Sequence, residues 1–116
     1  MGKKSRDKGK VGEREVAQLL RSYGIEARRG QQFRGGKGSP DVIHTLEGLH
    51  IEVKRTEGLG LYSALEQADT DRRDTELPVV FHRKNGRQWV AIMYAEDYLE
   101  LLGHSLQEDK KDESEG

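Results

Sequence analysis

Residues 39–55 read SPDVIHTLEGLHIEVKR. Residues 41–46 and 49–54 alternate apolar and polar side chains on either side of Glu47-Gly48, a pattern that predicts a β-hairpin. With Glu47 and Gly48 as the loop, Leu46 faces Leu49, Ile43 faces Glu52 and Asp41 faces Lys54. Directly opposed residues share a face of a sheet, as do alternate residues along a strand. One face then carries Asp41, Ile43, His50, Glu52 and Lys54. The other carries Val42, Leu46, Leu49, Ile51 and Val53, with His44 as its one polar member. A four-residue loop preserves this division, whereas a three-residue loop reverses one strand relative to the other.

The aliphatic set reads as a core face, and the other gathers two carboxylates and a lysine at one end of the hairpin. Opposed side chains lie about 5 Å apart and diagonal ones about 7–8 Å. That spacing suits a hard divalent cation, because Mg²⁺ takes carboxylate oxygens and retains water. Such an ion offsets the repulsion between Asp41 and Glu52 and activates a water, while Lys54 orients that water or neutralises a transition state. The same three residues also fit a cross-strand salt bridge between Asp41 and Lys54, worth little if exposed. The hairpin by itself leaves both readings open.

Upstream, Val16, Leu19, Leu20 and Tyr23 fall on one face of an amphipathic helix, with Gly24 at its C-terminal cap. Residues 25–29 form a short strand, and residues 30–38, GQQFRGGKG, a glycine-rich loop. Downstream, residues 61–73 form a helix with Leu61, Leu65 and Ala68 on one face. Strands at 78–82 and 88–93 flank an Asn85-Gly86 turn. Residues 95–102 close the fold as a short helix, with Glu96-Asp97 favourably placed near its N-terminus. The order α-β-β-β-α-β-β-α predicts an α/β mixed sheet flanked by helices.

The 116 residues fit one domain. We expect a flexible basic arm over 1–10, one domain over 11–102 and an acidic disordered tail over 103–116. There is no cysteine, so thiolate metal sites and disulfides are excluded. No apolar run reaches the roughly 18 residues that span a bilayer, and no signal peptide opens the chain. A soluble intracellular protein is expected. The net charge of −1 hides a division: residues 1–38 carry eleven Lys/Arg against four Asp/Glu, and residues 96–116 two against eight. A basic N-terminal third can bind phosphates whatever the total. A merely solvated basic tail has the same composition.

Pro40-Asp41 followed by Glu52-Val53-Lys54 resembles the signature of the PD-(D/E)XK nuclease superfamily, whose sheet is restriction-endonuclease-like. The opening KGKVGEREVAQLLRSYGIEARR is similar to the N-terminal helix of archaeal-type Holliday junction resolvases and of related small phage and bacterial endonucleases. The resemblance runs from about Lys8 to Met93. It implies a helical glutamate as a further site acid, at Glu13, with Glu15 as the competing candidate. Asp41, Glu52 and the backbone carbonyl of Val53 would be the principal ligands of Mg²⁺ (with Mn²⁺ able to replace it), and Lys54 the catalytic lysine. Gln67, in ALEQA, matches a glutamine that follows the motif in several branches and would hold a water or phosphate; an ordinary polar helix residue is the alternative.

On this reading the protein is a Mg²⁺-dependent, structure-selective endodeoxyribonuclease, with a four-way junction as the best substrate and a homodimer supplying two sites. It would work in the cytoplasm of a bacterial, archaeal or phage-infected cell. The alternatives are a nuclease of the same superfamily acting on flaps, nicks or duplex ends, and a non-catalytic DNA-binding module. Lys8, Lys10, Arg14, Arg28, Arg29, Arg34, Lys37 and Arg55 are the candidate DNA contacts, positioning the backbone without reading sequence. Lys3, Lys4 and Arg6 would extend them as an arm. The segment GGKGS misses the phosphate-loop spacing, and the four histidines lack zinc-ligand spacing. His50 lies on the active face but reads as a surface or half-buried residue. Trp89 reads as core or interface.

Overall fold

The structure, a computed structural model, describes residues 2–30 and 41–103, with side chains from residue 8 onward. The first helix, α1, spans Gly2–Ser22 and so runs back through the basic segment expected to be an arm. Its C-terminus is closed by two crossed bonds: Ile25 N–H donates to Leu20 O at 3.1 Å and Gly24 N–H to Arg21 O at 3.0 Å. This closure needs a left-handed residue, which Gly24 supplies at φ +82°. The buried stripe of α1 is Val16, Ala17 and Leu20, whereas Tyr23 is 78% exposed. Tyr23 lies beyond the last helical turn, where the periodicity that placed it on the stripe no longer applies.

Strands β1 (Ala27–Arg29) and β2 (Val42–His44) pair antiparallel, Arg28 opposite Ile43. Bonds from Gly30 N–H to Asp41 O at 2.8 Å and from Thr45 N–H to Glu26 O at 3.1 Å extend this pairing. The ladder expected between residues 41–46 and 49–54 is therefore replaced. The backbone of β2 is committed to β1, so Ile43 faces Arg28 rather than Glu52. Strand β3 (Leu49–Arg55) instead pairs parallel with β4 (Leu77–Arg83), Glu52 opposite Val80, through the crossover helix α2 (Leu61–Asp71). Strand β5 (Val90–Ile92) returns antiparallel to β4, and helix α3 covers residues 95–103. The β4–β5 turn has Arg87 N–H on Lys84 O at 3.1 Å and Gly86 at φ +73°. Asn85 keeps a negative φ, so the turn is not the doubly left-handed type that Asn-Gly favours.

The eight elements follow the expected order. The result is a small α/β fold with a mixed three-stranded sheet between helices, as expected of a restriction-endonuclease-like architecture. α1 covers one side of β3: Val16, Ala17 and Leu20 pack with Val42, Ile51, Val53 and Val79. Each such aliphatic burial contributes about 1.5–3 kcal/mol before chain entropy is subtracted. α2 covers the other side with Ala64, Leu65 and Ala68 against Val80. Ala64 takes the inward place expected for Leu61, which is 40% exposed at the helix start. Although β3 is an edge strand of its sheet, a helix on each face covers both its sides, so its polar residues His50 and Glu52 are buried too.

Candidate functional site

Pleating sends His50, Glu52 and Lys54 to the α2 side of β3. Glu52 is 3% exposed and Asp41 6%. Asp41 stands at the mouth of β2, where its Oδ2 accepts the Val53 N–H at 2.7 Å. That bond, rather than a β2–β3 ladder, ties the two halves of the opening motif together. The Asp41 and Glu52 carboxyl groups also meet. Burial, then the charge of Glu52, pushes Asp41 from its ordinary 3.8 up to about 7, with Glu13 adding to the rise and the Val53 bond opposing it. For Glu52, burial alone acts upward, but the His50 hydrogen bond, the bond with Asp41 and the nearby positive charges outweigh it, and its pKa is lowered. One carboxyl thus tends to stay protonated beside one that stays ionised, as two acids sharing a site must.

Lys54 Nζ donates to Gln67 Oε1 at 2.9 Å. The two residues therefore meet although they are distant in sequence. Asp71, one helical turn after Gln67, lies beside Glu52; burial and the Glu52 charge and hydrogen bond raise its pKa. Sequence reasoning missed Asp71. The i, i+4 spacing from Gln67, matched to the Glu52–Lys54 spacing on the strand, was the available signal. Also missed was Glu76, whose Oε1 lies 4.0 Å from His50 Nδ1. His50 itself is 1% exposed, not at the surface or half-buried as expected, because α2 and the turn into β4 close over it.

Glu13 accepts a bond from Arg29 Nε at 2.6 Å, while its charge still reaches Asp41. Glu15 is committed elsewhere: its Oε2 accepts from Arg83 Nη1 at 2.6 Å and from Trp89 Nε1 at 2.9 Å. It pins α1 to the β4–β5 hairpin rather than joining the acidic group. Two of the basic candidates are likewise engaged within the protein. Arg29 holds Glu13, and Arg55 donates from Nη2 to Asn85 Oδ1 at 2.9 Å. Lys10, Arg14 and Arg28 are exposed and Lys8 is half-buried. Arg34 and Lys37 lie outside the described residues, as do Pro40 and residues 104–116.

Among the described residues, no group of three or more His, Asp or Glu side chains is arranged to hold a metal ion. The Asp41–Glu52 pair nevertheless fits a hard divalent cation in its donor chemistry. Both groups are buried oxygen ligands, and the burial and the Glu52 charge that raise Asp41 are what a cation offsets. No described helix is long and apolar enough to cross a membrane.

The chain matches the family model described as archaeal Holliday junction resolvase (Hjc) over residues 4–113. No curated protein and no solved structure gives a match.

Proposed function

The chain belongs to the archaeal Holliday junction resolvase family, within the PD-(D/E)XK nucleases, and on that premise we propose that it is a Mg²⁺-dependent endodeoxyribonuclease that cuts four-way DNA junctions. The observation that carries this reading is the buried Asp41–Glu52 carboxyl pair with Lys54 held beside it by Gln67. Asp41, Glu52 and the Val53 carbonyl would hold the cation, with Glu13 at its margin. When bound, the cation supplies Lewis-acid stabilisation of the phosphorus-centred transition state and a more acidic water.

The chain's own residues do the rest. The Val53 N–H and the bond to Glu52 fix Asp41, so that the two acids stay together despite their repulsion. Gln67 orients the Lys54 ammonium, which neutralises charge gathering on the scissile phosphate or aligns the attacking water. Exposed Lys10, Arg14 and Arg28 hold the flanking backbone. One chain supplies one such site, and two opposed cuts in a symmetric junction need a C₂ pair. Val90, Tyr98, Leu99, Leu101 and Leu102, exposed on the β4–β5 hairpin and α3, support that face as the interface between copies.

The test is a panel of labelled junction, flap, nicked and linear substrates with Mg²⁺ or Mn²⁺. Junctions should be cut in preference, and Asp41→Asn and Glu52→Gln should bind junctions without cutting them. Preference for flaps or linear duplex would replace the junction assignment with another nuclease of the superfamily. A wild-type chain that binds DNA but cuts nothing would leave a binding module.

A further inference from the structure

Of the three buried polar side chains among the described residues, Asp41, His50 and Glu52, His50 is the one that the nuclease reading leaves without a task. It is 1% exposed, follows the strand pleat onto the same side as Glu52, and carries a carboxylate on each flank. Nε2 lies 2.9 Å from Glu52 Oε1. An ionised carboxylate only accepts, so the hydrogen of this bond sits on Nε2. On the other flank, Glu76 Oε1 faces Nδ1 at 4.0 Å and is itself fixed by the Arg73 N–H at 2.9 Å. The imidazole is thus wedged between the turn entering β4 and the acid of β3.

Asp41 and Glu52 share one buried site, and once both are ionised a freely rotating Glu52 would swing away. The Val53 N–H restrains Asp41. The imidazole is the counterpart restraint on Glu52. We propose that His50 is a positioning residue of the nuclease site, fixing the Glu52 carboxylate beside Asp41 so that the two present their oxygens jointly to a divalent cation. Outer partners of this kind orient metal-binding carboxylates and are worth about 10–100-fold in metal affinity or activity. This role rests on the nuclease reading above.

The experiment measures Mn²⁺ binding to the DNA-free protein by calorimetry and electron paramagnetic resonance, beside junction cleavage, for wild type, His50→Leu, His50→Asn and His50→Gln. Gln can place an amide N–H near the Nε2 position, whereas Asn stops short of Glu52 and Leu donates nothing. Leu and Asn should weaken Mn²⁺ binding by about 10-fold or more and lower kcat, with KM for the junction little changed. Gln should restore most of both. Should the Leu variant fail to fold, the Asn and Gln pair carries the comparison. Folded Leu or Asn variants that bind Mn²⁺ as wild type does, or a Gln variant as impaired as Leu, overturn the proposal while the wild type still cuts. A wild type that neither binds Mn²⁺ nor cuts overturns the nuclease reading and this role with it.

Discussion

Replacing Asp41 by Asn should make the protein more stable and inactive at once. Burial and the Glu52 charge hold Asp41 at about 7 against 3.8 in the unfolded chain. A carboxyl whose folded pKa is raised stabilises the fold below its unfolded pKa, and that contribution is lost as pH rises through the folded value. At ~1.4 kcal/mol per pH unit, the loss between 3.8 and about 7 has a ceiling of about 4 kcal/mol. Relaxation of the pocket and entering water lower this to about 1–3 kcal/mol. Asn is nearly isosteric, and its carbonyl can still accept the Val53 N–H. At about pH 8.5 the variant should therefore melt at least ~5 °C above wild type. Near pH 3, below the unfolded value, where Asp41 is neutral in the folded and the unfolded chain alike, the two should nearly coincide. Millimolar Mg²⁺ should raise the wild type and leave the variant unmoved. Thermal melts by circular dichroism across this range read all three effects. A variant no more stable than wild type at high pH, or one offset equally at both pH values, would refute the claim that charge tension is stored in the pair.

Three further outcomes follow from the packing and the site. A Cβ at Gly12 would lie 2.7 Å from Arg55 Cβ and 3.4 Å from Val53 Cγ1. Gly12→Ala should therefore cost about 1–3 kcal/mol in denaturant melts, although Ala is the better helix former; a neutral or stabilising result means α1 does not sit this close to β3. Glu15→Ala removes the partner of Arg83 and Trp89, so it should cost about 1–2 kcal/mol and change the Trp89 fluorescence while kcat stays near wild type. A collapse of kcat with stability intact would return Glu15 to the active group. Lys54→Met should lower kcat by about 10²–10³-fold with junction binding in Ca²⁺ preserved. A kcat within tenfold of wild type removes Lys54 from the chemistry.

Local periodicity carried much of this protein's design. The alternation of β3 put His50, Glu52 and Lys54 on one side and Ile51 and Val53 on the other, and the structure keeps that division. The element order and the closing role of Gly24 were also legible, because each depends on neighbours within a few residues. Tertiary structure decided what local pattern cannot express: which segments pair and which side chains then compete for the same partner. It gave β2 to β1, so Asp41 reaches β3 through its side chain rather than by strand pairing. Strand alternation marks two faces but does not say that both are covered; α2 and the turn into β4 made His50 a buried residue. Between two equivalent-looking acids on one helix, long-range partners assigned Glu13 to Arg29 near Asp41, and Glu15 to Arg83 and Trp89. Two residues along a helix turn a side chain through about 200°. Only the packing of α1 on the sheet determines what each of those directions meets.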